Sequence, residues 1–382
     1  MKSIDTRIPS IVSVPSTLLL VVVVGFPCLV HAAPDDDLME YHIDIGERLR
    51  QLTVKLCFGR ASVPATLIVP EPLAKHIEDL SATFTDGVTK KLQIDDHTIE
   101  LGRSQIQCVH YTVQIPDGQG KDWRSGRIEH NGAMTVALER ILVRPNAPRR
   151  WRRTRLSFST APGVRVSAPG AMLPATGVRK SFELLDRPPA WAGSVAFGTL
   201  TQSLIAAGKA QIRLSIVGRS DPATTAVLHT WITTGVAAIT TLYGHFPVSD
   251  LQILVFPLGR NSDPVPWGEV VRGGGDAVHL YVDGTRSLAE LNDNWVLTHE
   301  LSHLFHPYIA APDSWLPEGI ASYYQNVLRA RAGLIDAATA WEKLDAGFKR
   351  GLAQFASDRT LAVDTRAMMR QRQYMRVYWS GA

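Results

Sequence analysis

"NWVLTHELSHLFHPYIAAPDSWLPEGIASYYQ", Asn294–Gln325, decides how the second half of this 382-residue chain is read. His299 and His303 stand four apart with Glu300 after the first, an H-E-x-x-H run. Residues four apart on an α-helix lie on one face, one turn from each other. Two imidazoles so placed reach one Zn²⁺ at ~2.0–2.1 Å each. Glu300 is rotated by about 100° from His299, which takes it out of the ligand set and puts it beside a metal-bound water. A catalytic zinc also needs a third protein ligand and one open position. Glu318 is the candidate, on a second helix that opens around "SWLPEG" with Ser314 as cap and Pro317 in the first turn. The fourteen residues between His303 and Glu318 let the second helix return onto the first. Ser322, one turn beyond Glu318, is placed to steady a ligand histidine from behind. His306 is a rival third ligand, although Pro307 ends the helix beside it. An oxyanion needs a further electrophile, and Tyr374 and Tyr378 near the C-terminus offer hydroxyls.

The surrounding chain supplies the context that a chance H-E-x-x-H lacks. "SLAE" (Ser287–Glu290) reads as a capping box that opens the motif helix, and Pro307 closes it. Asp221 and Pro222 open an earlier helix that runs to Gly244, a natural C′ residue. "DLQILVFP" and "DAVHLYVD" (Asp276–Asp283) read as short buried strands, and Gly333 and Gly351 as helix stops. Before residue 218 the texture is different. "EYHIDIG", "QLTVKLCF", "ATLIVP", "QCVHYTVQI", "AMTVALERILV", "TRLSFST" and "IRLSIVG" are short strands separated by turn residues. The expected architecture is therefore α+β with two domains. Residues 33–217 form an antiparallel β-sandwich-like domain, and residues 218–382 form an α/β catalytic domain.

Composition is that of a globular protein. Hydrophobic residues make up 45% and charged residues 20%, enough for an ordinary core. The net charge of +4 is small, and the basic run Arg149–Arg155 has no nucleic-acid motif with it, so no nucleic-acid partner is expected. Lys2 and Arg7, the apolar core Leu18–Phe26 and "VHA" (Val30–Ala32) form a secretory signal peptide over residues 1–32. Localisation is then secreted or periplasmic, with no stable membrane insertion after cleavage; an uncleaved anchor is the alternative. Cys57 and Cys108 remain after the signal, both outward-pointing on neighbouring strands, and an oxidising compartment allows them to pair.

"HELSH … WLPEGIASYYQNVLRARAGLI" resembles the gluzincin metallopeptidases, the glycyl-aminopeptidase-like family first and the aminopeptidase N type more distantly. The resemblance implies a thermolysin-like catalytic domain. It also implies zinc on His299, His303 and Glu318, with Glu300 as general base in peptide-bond hydrolysis by a metal-activated water. "YWSGA" (Tyr378–Ala382) is similar to the family's Tyr-x-x-Gly-Ala signature, which favours Tyr378 over Tyr374 as the catalytic tyrosine. Peptides or proteins are the implied substrates. Three departures stand out. The loop between His303 and Glu318 is shorter than in the aminopeptidase N pattern. Glu269 and Asp276 are the only acids just before Asp283, and neither stands in the family's amine-gripping motif. The chain also stops at Ala382, where family members continue with further helices. Gly273–Gly275 reads equally as a turn or as a place where a peptide backbone approaches an edge strand. Two other functions fit the residues: a non-catalytic zinc-containing binding protein of the same fold, and a hydrolase of a non-peptide substrate.

Overall fold

The computed structural model describes residues 37–382 apart from 60–62, 103–104, 117–126, 147–152, 176, 178, 185–192, 355–359 and 372–373. The signal segment and Arg149 to Arg152 of the basic run lie outside the described residues. Residues 36–382 form one compact unit.

The N-terminal strands alternate buried and exposed positions, as the sequence pattern requires for half-buried sheet. In Gln51–Phe58, for instance, Leu52, Val54, Leu56 and Phe58 are inside. Eight strands make one sheet, beside separate sheets of three and four strands. Their apolar residues meet in a single core that joins Tyr41, Leu56, Leu67, Val136 and Phe197. The strand-rich character expected is present, with one departure from an antiparallel arrangement. Leu38–Ile45 pairs parallel with Arg153–Thr160, while its other neighbour, Gln51–Phe58, is antiparallel. Cys57 faces Cys108 across adjacent strands, and the two are joined as a disulfide. Cys108 lies on the same face as Cys57, opposite the inward Val109, Tyr111 and Val113, but is itself buried there.

A five-stranded sheet carries the rest. Its order is Leu200–Ala207, Ala210–Val217, Asp250–Leu258, Asp276–Asp283 and Trp267–Arg272. The three middle strands are parallel and both edges antiparallel. The middle strands are buried almost without interruption because both their faces are covered. Helix Pro222–Thr240, capped by Asp221 accepting from Thr224 N at 2.9 Å, covers one face together with the later helices. Leu200, Val217, Leu254, Phe256 and Tyr281 cover the other against Ala133 and Ala196 of the four-stranded sheet. Sheet continuity thus crosses residue 218: the hairpin Leu200–Val217 joins the sheet beneath the later helices. Arg213 ties the layers together. It pairs with Asp250 at 2.7 Å and donates to the carbonyls of Ala168 and Gly170.

Strand Trp267–Arg272 has no period-two pattern, since all six residues are half-buried, and sequence reading passes over it. Gly273–Gly275 is its hairpin turn, with φ of 144°, 96° and 152°. The turn reading of these glycines holds. Gly351 is no helix stop, because helix Ala337–Ala353 runs through it.

Candidate metal centre

The capping box at Ser287 and Glu290 forms as expected, but its helix, Leu288–Asp293, ends before the motif. Asn294 turns extended, and its Oδ1 accepts from Val296 N at 2.9 Å, so it caps a second helix, Val296–Ser302. That second helix carries His299 and Glu300; His303 opens the 3₁₀ turn that continues it. Trp315–Arg331 returns over it with Glu318 in its first turn. Ser314 occupies the N-cap position without making a capping bond, because a 3₁₀ turn over Ala311–Asp313 leads directly into the helix.

These elements bring His299, His303 and Glu318 together, with one ligand atom from each within 4.8 Å of the others. Glu318 Oε2 lies 3.2 Å from His299 Nε2 and 3.7 Å from His303 Nε2. The far side of each imidazole is occupied. Gln325 Oε1 accepts from His299 Nδ1 at 2.8 Å. His306 Nδ1 donates to the Pro307 carbonyl at 2.8 Å, which leaves its Nε2 to accept from His303 Nδ1 at 3.3 Å. In both rings Nε2 is thus the atom that faces Glu318 Oε2. Two imidazole nitrogens and one carboxylate oxygen around one point are a donor set that zinc accepts. Burial lowers the His299 pKa, but its hydrogen bond to Glu318 and the nearby Glu300 outweigh that and raise it. Burial and the charge on His299 push His303 down to about 3.

His306 lies outside this cluster and meets His303 from behind. Arg272 donates to the carbonyls of both His303 and His306, at 2.5 and 2.7 Å, and pins the loop that follows the motif. Ser322 is buried one turn after Glu318, but the bond behind His299 comes from Gln325, one turn further along.

Glu300 is buried between the motif helix and the edge strand, where Val270 N–H donates to it. A Cβ at Gly268 would lie 2.7 Å from Glu300 Cγ, so only glycine leaves it room. Burial, reinforced by Glu318 and Glu269, pushes the carboxyl up to about 7 against the opposing effect of His299. Tyr378 stacks on His299 with ring centres 5.7 Å apart and hydrogen-bonds Glu318. Its helix, Tyr374–Ser380, packs so closely that a Cβ on Gly319 would meet the Gly381 carbonyl carbon at 2.2 Å. Gly319→Ala should therefore push the terminal helix outward. A crystal structure of the variant, with Tyr378 displaced from its stacking on His299, checks this.

Glu269 meets His279 on the neighbouring strand at 3.3 Å, in register with it. Asp276 faces Arg272 at 3.7 Å at the hairpin end.

The family pattern of the M61 glycyl aminopeptidases matches residues 303–378, which span Glu318 and Tyr378. The chain resembles the M61 glycyl aminopeptidases. No curated protein matches it. Among solved structures, the aminopeptidase N family protein from Idiomarina loihiensis superposes with a TM-score of 0.63 at 17% identity, over 90% of this chain and 65% of that one. The chain thus spans about 65% of the length of that protein. An M1 zinc metallopeptidase from Deinococcus radiodurans, in a mutant form bound to a Tyr-Ser-Ala substrate, gives 0.55 at 15% identity, covering 91% and 81%. Yeast LTA4 hydrolase gives 0.50 at 14%, covering 84% and 52%. At these identities the likeness is one of fold: a strand-rich N-terminal part and a helical C-terminal part around a mixed sheet.

Proposed function

We propose that the protein is a zinc-dependent peptidase whose catalytic part is built like thermolysin. The observation that carries this is the convergence of His299, His303 and Glu318 on one point, with Glu300 and Tyr378 at its rim. His299, His303 and Glu318 would hold the metal, and bound zinc would supply Lewis acidity toward water and the scissile carbonyl.

The chain's own residues supply the rest. Glu300, with a carboxyl poised near neutrality, takes the proton from the attacking water and later delivers it to the leaving amine. The Tyr378 hydroxyl donates to the oxygen that becomes negative as the carbonyl is attacked. Gln325 and His306 keep both ligand rings in one tautomer and orientation. The antiparallel edge strand Trp267–Arg272 offers a backbone edge along which an extended peptide can lie.

Secretion or periplasmic location after removal of residues 1–32 remains part of the proposal, supported by the Cys57–Cys108 disulfide. Among the described residues no helix is long and apolar enough to cross a membrane. The test is a peptide-library digest. Cleavage should disappear with a chelator and return with Zn²⁺; cleavage that persists in the chelated protein would refute the reading.

A further inference from the structure

Beside the metal centre lies a second cavity of about 510 Å³ that the reaction as described does not use. That volume is within the range of small-molecule sites, about 300–1,000 Å³. It shares walls with the centre. Trp295, whose ring lies edge-on 5.1 Å from His299, lines it, as do Gln325 and Tyr378. Tyr378, which hydrogen-bonds Glu318, is a wall common to both, so a substrate residue beside a carbonyl that meets the Tyr378 hydroxyl lies next to this space.

The far wall carries the chemistry. Arg329, Lys343 and Arg350 line it, and among the described residues no acid does. Arg329 is 1% exposed, and its Nε is buried with no hydrogen-bond partner. Its terminal nitrogen is spent on the carbonyls of Asn292 and Asp293 and on the Asp293 carboxylate at 3.3 Å. Lys343 reaches the same carboxylate at 3.8 Å. Asp293 is thus the single acid answering two cations. Arg350 lies over the Trp379 ring at 5.4 Å and has no ion-pair partner among the described residues. Three cations against one acid leave an excess of two positive charges beside aromatic walls.

We propose that this cavity is a specificity pocket for a carboxylate, borne by a substrate residue next to the cleaved bond. Arg350 and Lys343 meet the carboxylate directly, and the charge on Arg329 deepens the field. The aromatic walls contact the methylene stem that carries it. This rests on the peptidase reading. The carboxylate has two possible sources, an acidic side chain or the free C-terminus of a short peptide.

The experiment uses the zinc-loaded chain and peptides that differ only in Glu against Gln on either side of the cleaved bond. A parallel arm compares a free C-terminal carboxylate with its amide. We expect one arm to show about a tenfold or greater advantage in kcat/KM for the charged peptide. Arg350→Glu should abolish that advantage and turn it toward a Lys-bearing peptide, an inversion that a misfolded variant cannot mimic. Binding of the same peptides to the Glu300→Gln chain, by calorimetry, reads the pocket without turnover. Preference in binding with no cleavage by the native chain would leave the pocket standing and remove the peptidase reading. Equal kcat/KM and equal binding for charged and neutral peptides would overturn the pocket, as would an advantage that Arg350→Glu leaves intact.

Discussion

Glu300→Gln should lower kcat by about 10²–10⁴-fold while zinc stays bound at one equivalent. The substitution keeps the shape of a buried side chain that fits under Gly268, and the amide oxygen still accepts from Val270 N–H. What it removes is the basic oxygen. The native carboxyl, pushed up to about 7 by burial, exchanges a proton near neutral pH, and an amide does not. Because Glu300 is outside the ligand set, metal content is unaffected. Stopped-flow or initial-rate measurement on any peptide found in the digest, beside metal analysis, decides the matter. Turnover near the native rate would remove Glu300 from the role of base.

Glu318→Ala should act on the metal itself. It removes the one carboxylate of the His299–His303–Glu318 cluster and leaves two imidazoles to hold the ion. Loss of a group that merely supports a ligand costs about 10–100-fold in metal affinity, so loss of the ligand should exceed about 10²-fold. The Tyr378 hydroxyl also loses its acceptor. Competition against a zinc-responsive dye measures the change, and activity should reappear in part at high added Zn²⁺. Unchanged affinity would place the metal elsewhere.

These two residues were legible in the sequence because their signal is local. Four-residue spacing fixes His299 and His303 on one helical face, and Pro307 with the following helix start fixes the return to Glu318. The residues behind the ligands were legible only in part. Glu318, Ser322 and Gln325 are spaced by four and three, so all three share a face of helix Trp315–Arg331. That pattern pointed to the correct face, but which of its members reaches His299 depends on where the motif helix crosses. His306 was read as a competing ligand because a three-residue offset also fits one face; Pro307 bends the chain, so the ring reaches His303 and not the metal point.

Arg272 carried no signal, since its bonds to the carbonyls of His303 and His306 span more than thirty residues. Asn294 was hidden inside an apparently continuous helix. Only its side-chain bond to Val296 N shows that it ends one helix and caps another. Gly351 had the signature of a helix stop, but its absent side chain makes space for Trp379, whose Cβ would lie 2.7 Å from an added methyl. The strand-rich half was readable where burial alternates, as in Gln51–Phe58. It was unreadable along Trp267–Arg272, where both faces are half-covered.

The most direct measurement is zinc-edge anomalous diffraction from crystals of the zinc-loaded protein. A single peak should stand ~2.0–2.2 Å from His299 Nε2, His303 Nε2 and a Glu318 carboxylate oxygen. A peak elsewhere, or no peak from protein that cleaves peptides in a chelator-sensitive way, would contradict the account.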